Sequence, residues 1–141
     1  MRVLSVGTSC LDVSIFPVDK LPRLGERSDL SQHAIAVAGN ALCAAICAKR
    51  LGATSSALVT ALGRDFAGEL VQERLRAEGV ELFNCGSRTA STSLSVVAVA
   101  KGGEKRIFSS IGASPIFLRE CAVMRNEIPV QNMMQNHIER S

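Results

Sequence analysis

Residues 34–68, AIAVAGNALCAAICAKRLGATSSALVTALGRDFAG, decide the fold of this chain. A turn with a glycine at 38–40 precedes an apolar helical pattern over 40–51, and Gly52 is a typical residue just after a helix C-terminus. Residues 56–62 are a short apolar run that predicts a strand, and a second glycine-bearing turn opens another helix. Strands that alternate with helices in this way predict an α/β fold with a parallel sheet.

Two helices follow from the periodicity. Residues 40–51 are apolar on almost every side, which predicts a helix buried on several sides. A second helix is predicted over 66–78, and Gly79 is expected to end it. Its apolar residues share one face, which we expect to be buried: Phe66, Leu70, Val71 and Leu75.

Further extended segments lie on both sides of this stretch. They are predicted over residues 2–6, 11–18, 30–37, 80–85, 92–100 and 105–111. The Gly-Gly turn within 101–104 makes the last two a hairpin, and we expect 30–37 to be half-buried. The segments within 13–37 and 92–111 do not fit the strand–helix alternation, so they are interpreted as added strands outside the core.

Composition limits the class of protein. The chain has 141 residues, of which 47% are hydrophobic and 4% aromatic, enough for one folded domain and too apolar for disorder. Its net charge is +3, and the 16 basic residues are scattered, which disfavours nucleic-acid binding. We see neither a signal peptide nor an apolar stretch long enough to cross a membrane, and we expect a soluble, cytoplasmic protein without membrane partners.

The five cysteines do not form a metal-binding pattern. No CxxC pair occurs, and only two histidines accompany them, so a zinc site is poorly supported. We expect them to be small buried apolar residues in a reducing cytosol: Cys10, Cys43, Cys47, Cys85 and Cys121.

The candidate binding residues cluster at the start of the predicted fold. Asp12 follows the first strand, at the end of an open α/β sheet where ligands bind, and a carboxylate can accept hydrogen bonds from sugar hydroxyls. The competing interpretation is a turn or capping aspartate. Gly39 and Asn40 precede a helix N-terminus, whose free N–H groups suit hydroxyls or an anion, or they serve only to cap that helix. Asp65 is predicted to cap the second helix.

Cys43 lies one helical turn after Asn40 and could face the same pocket. A buried core thiol is the simpler interpretation, because neither histidine is near in sequence and a Cys/His catalytic pair is not supported.

These motifs together resemble the PfkB, or ribokinase-like, family of carbohydrate kinases. The resemblance runs over about residues 2–113. It is carried by VLSVGTSCLD, VDKLPRLGE, AGNALCAAICAKRLG, GRDFAGELVQERLRAEGVE and TSLSVVAVAKGGEKRIFSSIGA, and most of all by their order.

The resemblance implies a three-layer αβα sandwich with a small β-sheet lid, of which this chain holds a part. The implied reaction is transfer of the γ-phosphoryl group of ATP, with Mg²⁺, to a hydroxyl of a sugar or nucleoside. Asp12 resembles the aspartate that binds sugar hydroxyls, and Gly39 and Asn40 match the glycine signature of the sugar pocket. Thr92 and Arg106 would be lid residues that close over the sugar. The lid strands would also allow a homodimer.

Two departures from the family pattern affect these expectations. Ala38 replaces a glycine of the signature, and Cys43 replaces an asparagine that bonds the sugar, although a thiol is a poor hydrogen-bond partner. The DTxGAGD-like element with the catalytic base, and the ATP-binding region, have no match here. We therefore expect a truncated form with domain limits 1–113 and a divergent tail over 114–141. The alternatives are a sugar-binding or dimerisation module and an inactive fragment.

Overall fold

The computed structural model describes residues 1–86 and 89–114, so the predicted tail lies outside the described residues apart from its first residue. Seven strands and two helices are found there. In chain order they are β1 (Arg2–Val6), β2 (Cys10–Phe16), β3 (Gln32–Ala38), α1 (Asn40–Arg50), β4 (Ser55–Thr60), α2 (Phe66–Ala77), β5 (Glu81–Asn84), β6 (Ser93–Val99) and β7 (Lys105–Ser110). Each predicted element is present, with ends that differ by at most two residues.

The main sheet has three parallel strands in the order β1-β4-β5. Leu58 in the central strand is fully buried, and it belongs to one apolar cluster with residues of both helices. α1 and α2 therefore pack on the same face of this sheet. The cluster consists of Leu42, Ala45, Ile46, Leu58, Leu62, Val71, Leu75 and Val80.

Polar contacts fix the helices to each other and to the sheet. The Ser56 hydroxyl donates to the Ala45 carbonyl oxygen over 2.7 Å, which satisfies a buried polar group between β4 and α1. Arg50 at the end of α1 forms an ion pair with Glu78 at the end of α2, which joins the C-terminal ends of the two helices, and Arg74 pairs with Glu78 within α2. Gly79, at φ +66°, ends α2 as predicted.

A second sheet has no strand pairing with the main one, and its strand order is β3-β2-β6-β7. We call these four strands the lid sheet. β2 runs parallel to β6, and the outer pairs are antiparallel, including the predicted β6–β7 hairpin. The segments within 13–37 and 92–111, which did not fit the strand–helix alternation, thus supply strands of a separate sheet, as expected.

Two adjacent rows of aligned residues, one mostly polar and one apolar, lie on opposite faces of the lid sheet, which we call the polar and the apolar face. Residues in register across strands share a face, and neighbouring residues of one strand face opposite sides. The polar row contains Ala36, Asp12, Ser95 and Ser109 on β3, β2, β6 and β7. The adjacent apolar row contains Ile35, Val13, Val96 and Phe108 on the same strands.

Several burial predictions were wrong. α1 is buried on one side only, because it contacts β1 and β4 while Cys43, Ala44 and Cys47 are exposed. The prediction of buried cysteines fails for these two thiols, and Cys10 and Cys85 are only half-buried.

On α2, Phe66 is 68% exposed because it stands in the first turn, beside a groove that is also lined by Ile35. The first five residues of β3 are exposed rather than half-buried, because β3 is an edge strand of the lid sheet. No helix within residues 1–86 and 89–114 is long and apolar enough to span a membrane.

Candidate substrate-binding site

Asp12 lies in the middle of β2, on the polar row of the lid sheet. It is half-buried, and its register partners are Ala36 and Ser95. The Ser109 hydroxyl donates to the Ser95 hydroxyl over 3.2 Å, so the row continues as hydroxyl groups toward β7. A carboxylate beside hydroxyl groups can accept and donate hydrogen bonds to a polyol.

The Cys10 side chain contacts the Asp12 carboxylate. The Cys10 thiol, two residues earlier on the same face of β2, donates to Asp12 Oδ1 over 3.4 Å. Burial, and then the hydrogen bond and negative charge of Asp12, raise the pKa of Cys10 to about 11. Cys10 is therefore a neutral thiol near pH 7, which can donate this hydrogen bond.

The turn at Gly39 connects the lid sheet to α1. Cys10 pairs with Ala38 at the end of β3, so the polar face leads directly into this turn. Gly39 has φ +113°, and a Cβ there would lie 2.4 Å from the Thr8 carbonyl oxygen. Glycine is needed at this position because the backbone of the loop after β1 passes so close.

The first turn of α1 borders an open cavity of about 590 Å³ at the end of β1. Within the described ranges 1–86 and 89–114 no side chain caps this helix, so in this part of the chain its first N–H groups are available to a ligand. Asn40, in this first turn, is exposed and lines the cavity together with Gly7, Thr8, Ala41 and others. Cys43 is exposed one turn later and lies near Cys10.

Thr92 is almost fully buried and belongs to a hydrogen-bonded node with Asp65. Its hydroxyl donates to Asp65 Oδ1 over 2.7 Å and accepts from the Gly63 N–H over 3.0 Å, while its own N–H donates to Asp65 Oδ2 over 2.7 Å. Gly68 N–H also donates to Asp65, which confirms this aspartate as the N-cap of α2. The node attaches the start of β6 to α2.

The electrostatics of the node follow from these contacts. Partial burial raises the pKa of Asp65, but the hydrogen bonds from Thr92 and Gly68 outweigh it, and its pKa lies below the ordinary value. Asp65 is therefore charged at neutral pH, and its contacts are charge-assisted.

Arg106 lies on the other face of the lid sheet from Asp12. It pairs with Ala98 on β6, which pairs with Ile15 on β2, and neither belongs to the polar row. Its guanidinium group donates to the Val18 carbonyl oxygen over 3.2 Å. Cys10 contacts Asp12, lies near Cys43 and pairs with the residue before Gly39, whereas Asn40 lines the cavity at α1. Arg106 and the Thr92 hydroxyl are engaged elsewhere. The roles assigned to these six residues remain predictions.

The described residues offer no cluster of metal-binding side chains for the Mg²⁺ that the family resemblance implies. Residues 1–86 and 89–114 contain no group of three or more His, Cys, Asp or Glu side chains placed to hold a metal ion. Mg²⁺ that is bound with a nucleotide takes one or two carboxylates together with the phosphates, so what these residues lack is a metal site formed by protein side chains alone.

The sequence missed three polar residues near Asp12. Cys10 lies two positions before it, and the period-2 rule of strands already places both side chains on one face. Ser95 and Ser109 reach the same face only through the pairing of β2 with β6 and of β6 with β7. The alternation of Ser93 and Ser95 with apolar residues was the available signal for a polar face on β6.

Comparison with known proteins agrees with the resemblance to the PfkB family. The sequence model of the pfkB family of carbohydrate kinases matches residues 1–132, which extends past the motifs that end near Ala113. Among solved structures, ribokinase from Giardia lamblia superposes with a TM-score of 0.70 at 25% identity over 89% of this chain and 42% of that one.

Two further structures are similar. Ribokinase from Cryptococcus neoformans var. grubii, solved in complex with ADP, gives a TM-score of 0.64 at 26% identity over 79% of this chain and 34% of that one. A nucleoside kinase from Methanocaldococcus jannaschii gives a TM-score of 0.66 at 23% identity, over 79% of this chain and 37% of that one. The chain thus spans well under half the length of these structures.

Proposed function

Because the chain belongs to the pfkB family of carbohydrate kinases, we propose that it forms the part of such an enzyme that binds the sugar or nucleoside. The phosphoryl donor of the complete reaction would be ATP, with Mg²⁺. The similar structures named ribokinase and nucleoside kinase make D-ribose and adenosine the first ligands to test.

One observation carries this proposal. The Asp12 carboxylate stands on a polar face that leads through Gly39 to the uncapped first turn of α1. A polyol could donate hydroxyl protons to the carboxylate and accept hydrogen bonds from the N–H groups of α1. Asn40 lies in this turn and adds an amide, while Cys43 offers only a weak hydrogen-bond partner.

We also propose that the 141-residue chain on its own binds this ligand without phosphorylating it. Phosphoryl transfer depends on positioning and on charge stabilisation by a metal ion and basic groups. The described residues contain no cluster of three or more metal-binding side chains, and the sequence shows no phosphate-binding glycine motif or DTxGAGD-like element.

The test is a thermal melt of the purified chain with D-ribose, D-fructose or adenosine, together with a phosphorylation assay with Mg²⁺–ATP. We expect one ligand to raise the melting temperature of the wild type. Asp12→Asn should remove most of that shift because the amide is uncharged, with a loss of about tenfold or more in affinity. Asp29→Asn, which changes an exposed connector residue, is the matched control.

Three outcomes would contradict the proposal in different ways. No shift with any ligand would count against a binding module, and an equal shift in the Asp12 variant would remove Asp12 from the site. Formation of a phosphorylated sugar by the isolated chain would show that it is catalytically complete.

A dimerisation role for the lid sheet has its own supporting observation. At the two ends of the apolar row, Ile35 and Phe108 are 56% and 54% exposed. A row of this kind suits contact with the same row of a second copy, so we propose a homodimer through the lid sheet. We further propose a cytoplasmic location, with which the reduced thiols of Cys10, Cys43 and Cys47 agree.

A further inference from the structure

We propose that Cys10 is a positioning residue for substrate binding: its thiol holds the Asp12 carboxylate in the orientation that meets the ligand. This role rests on the proposed function of Asp12. Cys10 contacts the ligand-binding group rather than serving as a catalytic residue.

The geometry makes this contact specific. Cys10 and Asp12 are alternate residues of one strand, so both side chains leave the same face of β2. The Sγ–Oδ1 distance is 3.4 Å. In the described part of the chain, the Cys10 thiol is the one hydrogen-bond donor found on the Asp12 side chain, and Oδ2 is left for a ligand.

The position of Cys10 in the sheet explains how its thiol can orient the Asp12 carboxylate. Its backbone is fixed on both sides, by pairing with Ala38 on β3 and with Ser93 on β6. A donor on a fixed strand restricts the rotation of the neighbouring carboxylate, so the substrate does not have to order that side chain on binding. The elevated pKa of the thiol keeps its proton in place over the physiological range.

The contact itself can be tested without any ligand. In the native chain, iodoacetamide at about pH 8.5 alkylates thiols through their thiolate forms, and Asp12 suppresses the thiolate of Cys10. Asp12→Asn removes the negative charge, so we expect Cys10 to be alkylated about threefold faster or more, since one pKa unit changes the thiolate fraction about tenfold. Burial, the largest cause of the raised pKa, is retained in this variant.

The readout is peptide mass spectrometry after tryptic digestion. Residues 3–20 form a peptide in which Cys10 is the only cysteine, and residues 77–88 form one in which Cys85 is the only cysteine. The Cys85 peptide is the internal control and should be alkylated at the same rate in both proteins. An unchanged Cys10 rate would show that the thiol does not contact Asp12, and would overturn the proposal.

The effect on binding is tested with D-ribose and adenosine by calorimetry. Cys10→Ala removes the donor and should weaken binding about three- to tenfold, the size expected for one hydrogen bond. Cys10→Ser keeps a donor and should restore affinity to within about twofold. Cys47→Ala, on the exposed side of α1, is the matched control and should bind like the wild type.

These results separate the proposal from the function it rests on. Wild-type affinity in Cys10→Ala together with weak binding in Asp12→Asn would overturn the role of Cys10 and leave the sugar site intact. Wild-type affinity in Asp12→Asn would overturn both the role of Cys10 and the sugar site at Asp12, whatever the alkylation shows. If Cys10→Ala does not fold, the alkylation rates, which are measured with Cys10 in place, still decide whether the contact exists.

Discussion

At the N-terminus of α2, a single carboxylate joins two segments that are 27 residues apart. Asp65 accepts hydrogen bonds from Gly68 within its own helix and from the backbone and hydroxyl of Thr92 before β6. A cap alone would stabilise only α2. Because the same two oxygens also bind Thr92, Asp65 fixes where the lid sheet leaves the body of the protein.

We expect Asp65→Ala to lower the free energy of unfolding by about 2 kcal/mol at pH 7, from loss of the cap and of charge-assisted hydrogen bonds. The folded-state pKa of Asp65 is depressed, so this contribution is fully present above the ordinary pKa of about 3.9 and is lost as the pH falls through the folded-state value. Urea unfolding at pH 7 and pH 3 should therefore show the difference from the wild type shrinking in acid.

Asp29→Ala is the control for this measurement, because Asp29 is exposed in the connector and should change stability little at either pH. A difference between wild type and Asp65→Ala that is the same at pH 3 as at pH 7 would show that the charge of Asp65 does not contribute.

The local half of this node could be predicted from sequence, and the distant half could not. Gly63, Asp65 and Gly68 form a turn and capping pattern within six residues, so the N-cap was predictable. The bond to Thr92 depends on how the lid sheet returns to α2, which no local pattern encodes. Thr92 was expected to close over a sugar, but its hydroxyl is already engaged by Asp65 and Gly63.

At the scale of elements, sequence periodicity found every strand and helix described but not their neighbours. β2 pairs in parallel with β6, from Cys10–Ser93 to Ile15–Ala98, so the centre of the lid sheet joins segments about 80 residues apart. The polar row that contains Asp12 exists only because of this register. Ser95 and Ser109 could therefore not be assigned to the candidate site from the sequence.

α1 shows the same limit. Its small apolar residues are compatible with burial on any side, and only the packing of β1 and β4 decides which side is covered. Leu42, Ala45 and Ile46 are buried, whereas Cys43 and Cys47 are exposed. Cys43 does not line the cavity at the first turn of α1, so its pocket position stays a prediction, and the predicted burial of both thiols is wrong.

The junction between β3 and α1 allows a direct test of the close approach at Gly39. We expect Gly39→Ala to destabilise the chain by more than the roughly 1–2 kcal/mol that a positive φ costs a non-glycine residue, because its Cβ would also overlap the Thr8 carbonyl oxygen. Gly25→Ala is the matched control, because Gly25 has φ +84° and, among the residues that the structure describes, nothing lies within 4 Å of the added Cβ.

Urea unfolding of the two variants separates the two costs, since only Gly39 of this pair combines a positive φ with a close backbone contact. Equal losses in both would mean that the loop after β1 can move away from Gly39. The turn would then not be rigid enough to place the first turn of α1 beside the polar face.

At the scale of the whole molecule, the two faces of the lid sheet differ in the kind of partner that they suit. The polar face leads to the Gly39 turn and the cavity at α1, where a small polar ligand can satisfy its groups. The apolar row on the opposite face ends in exposed Ile35 and Phe108, and a small polar ligand would gain nothing there. A face of this kind gains most from contact with another apolar surface.

The homodimer proposal therefore predicts which face carries the contact. Phe108→Asp places a charge on the apolar row and should raise the dimer dissociation constant by about tenfold or more, measured by sedimentation velocity over a range of concentrations. Ile107→Asp is the matched control: it is the preceding residue of β7, is 61% exposed, and faces the polar side. It should leave the dissociation constant nearly unchanged. If Ile107→Asp alone dissociates the dimer, the contact lies on the face of Asp12, where it would compete with the sugar. If the wild type is monomeric at every concentration, the homodimer proposal is wrong.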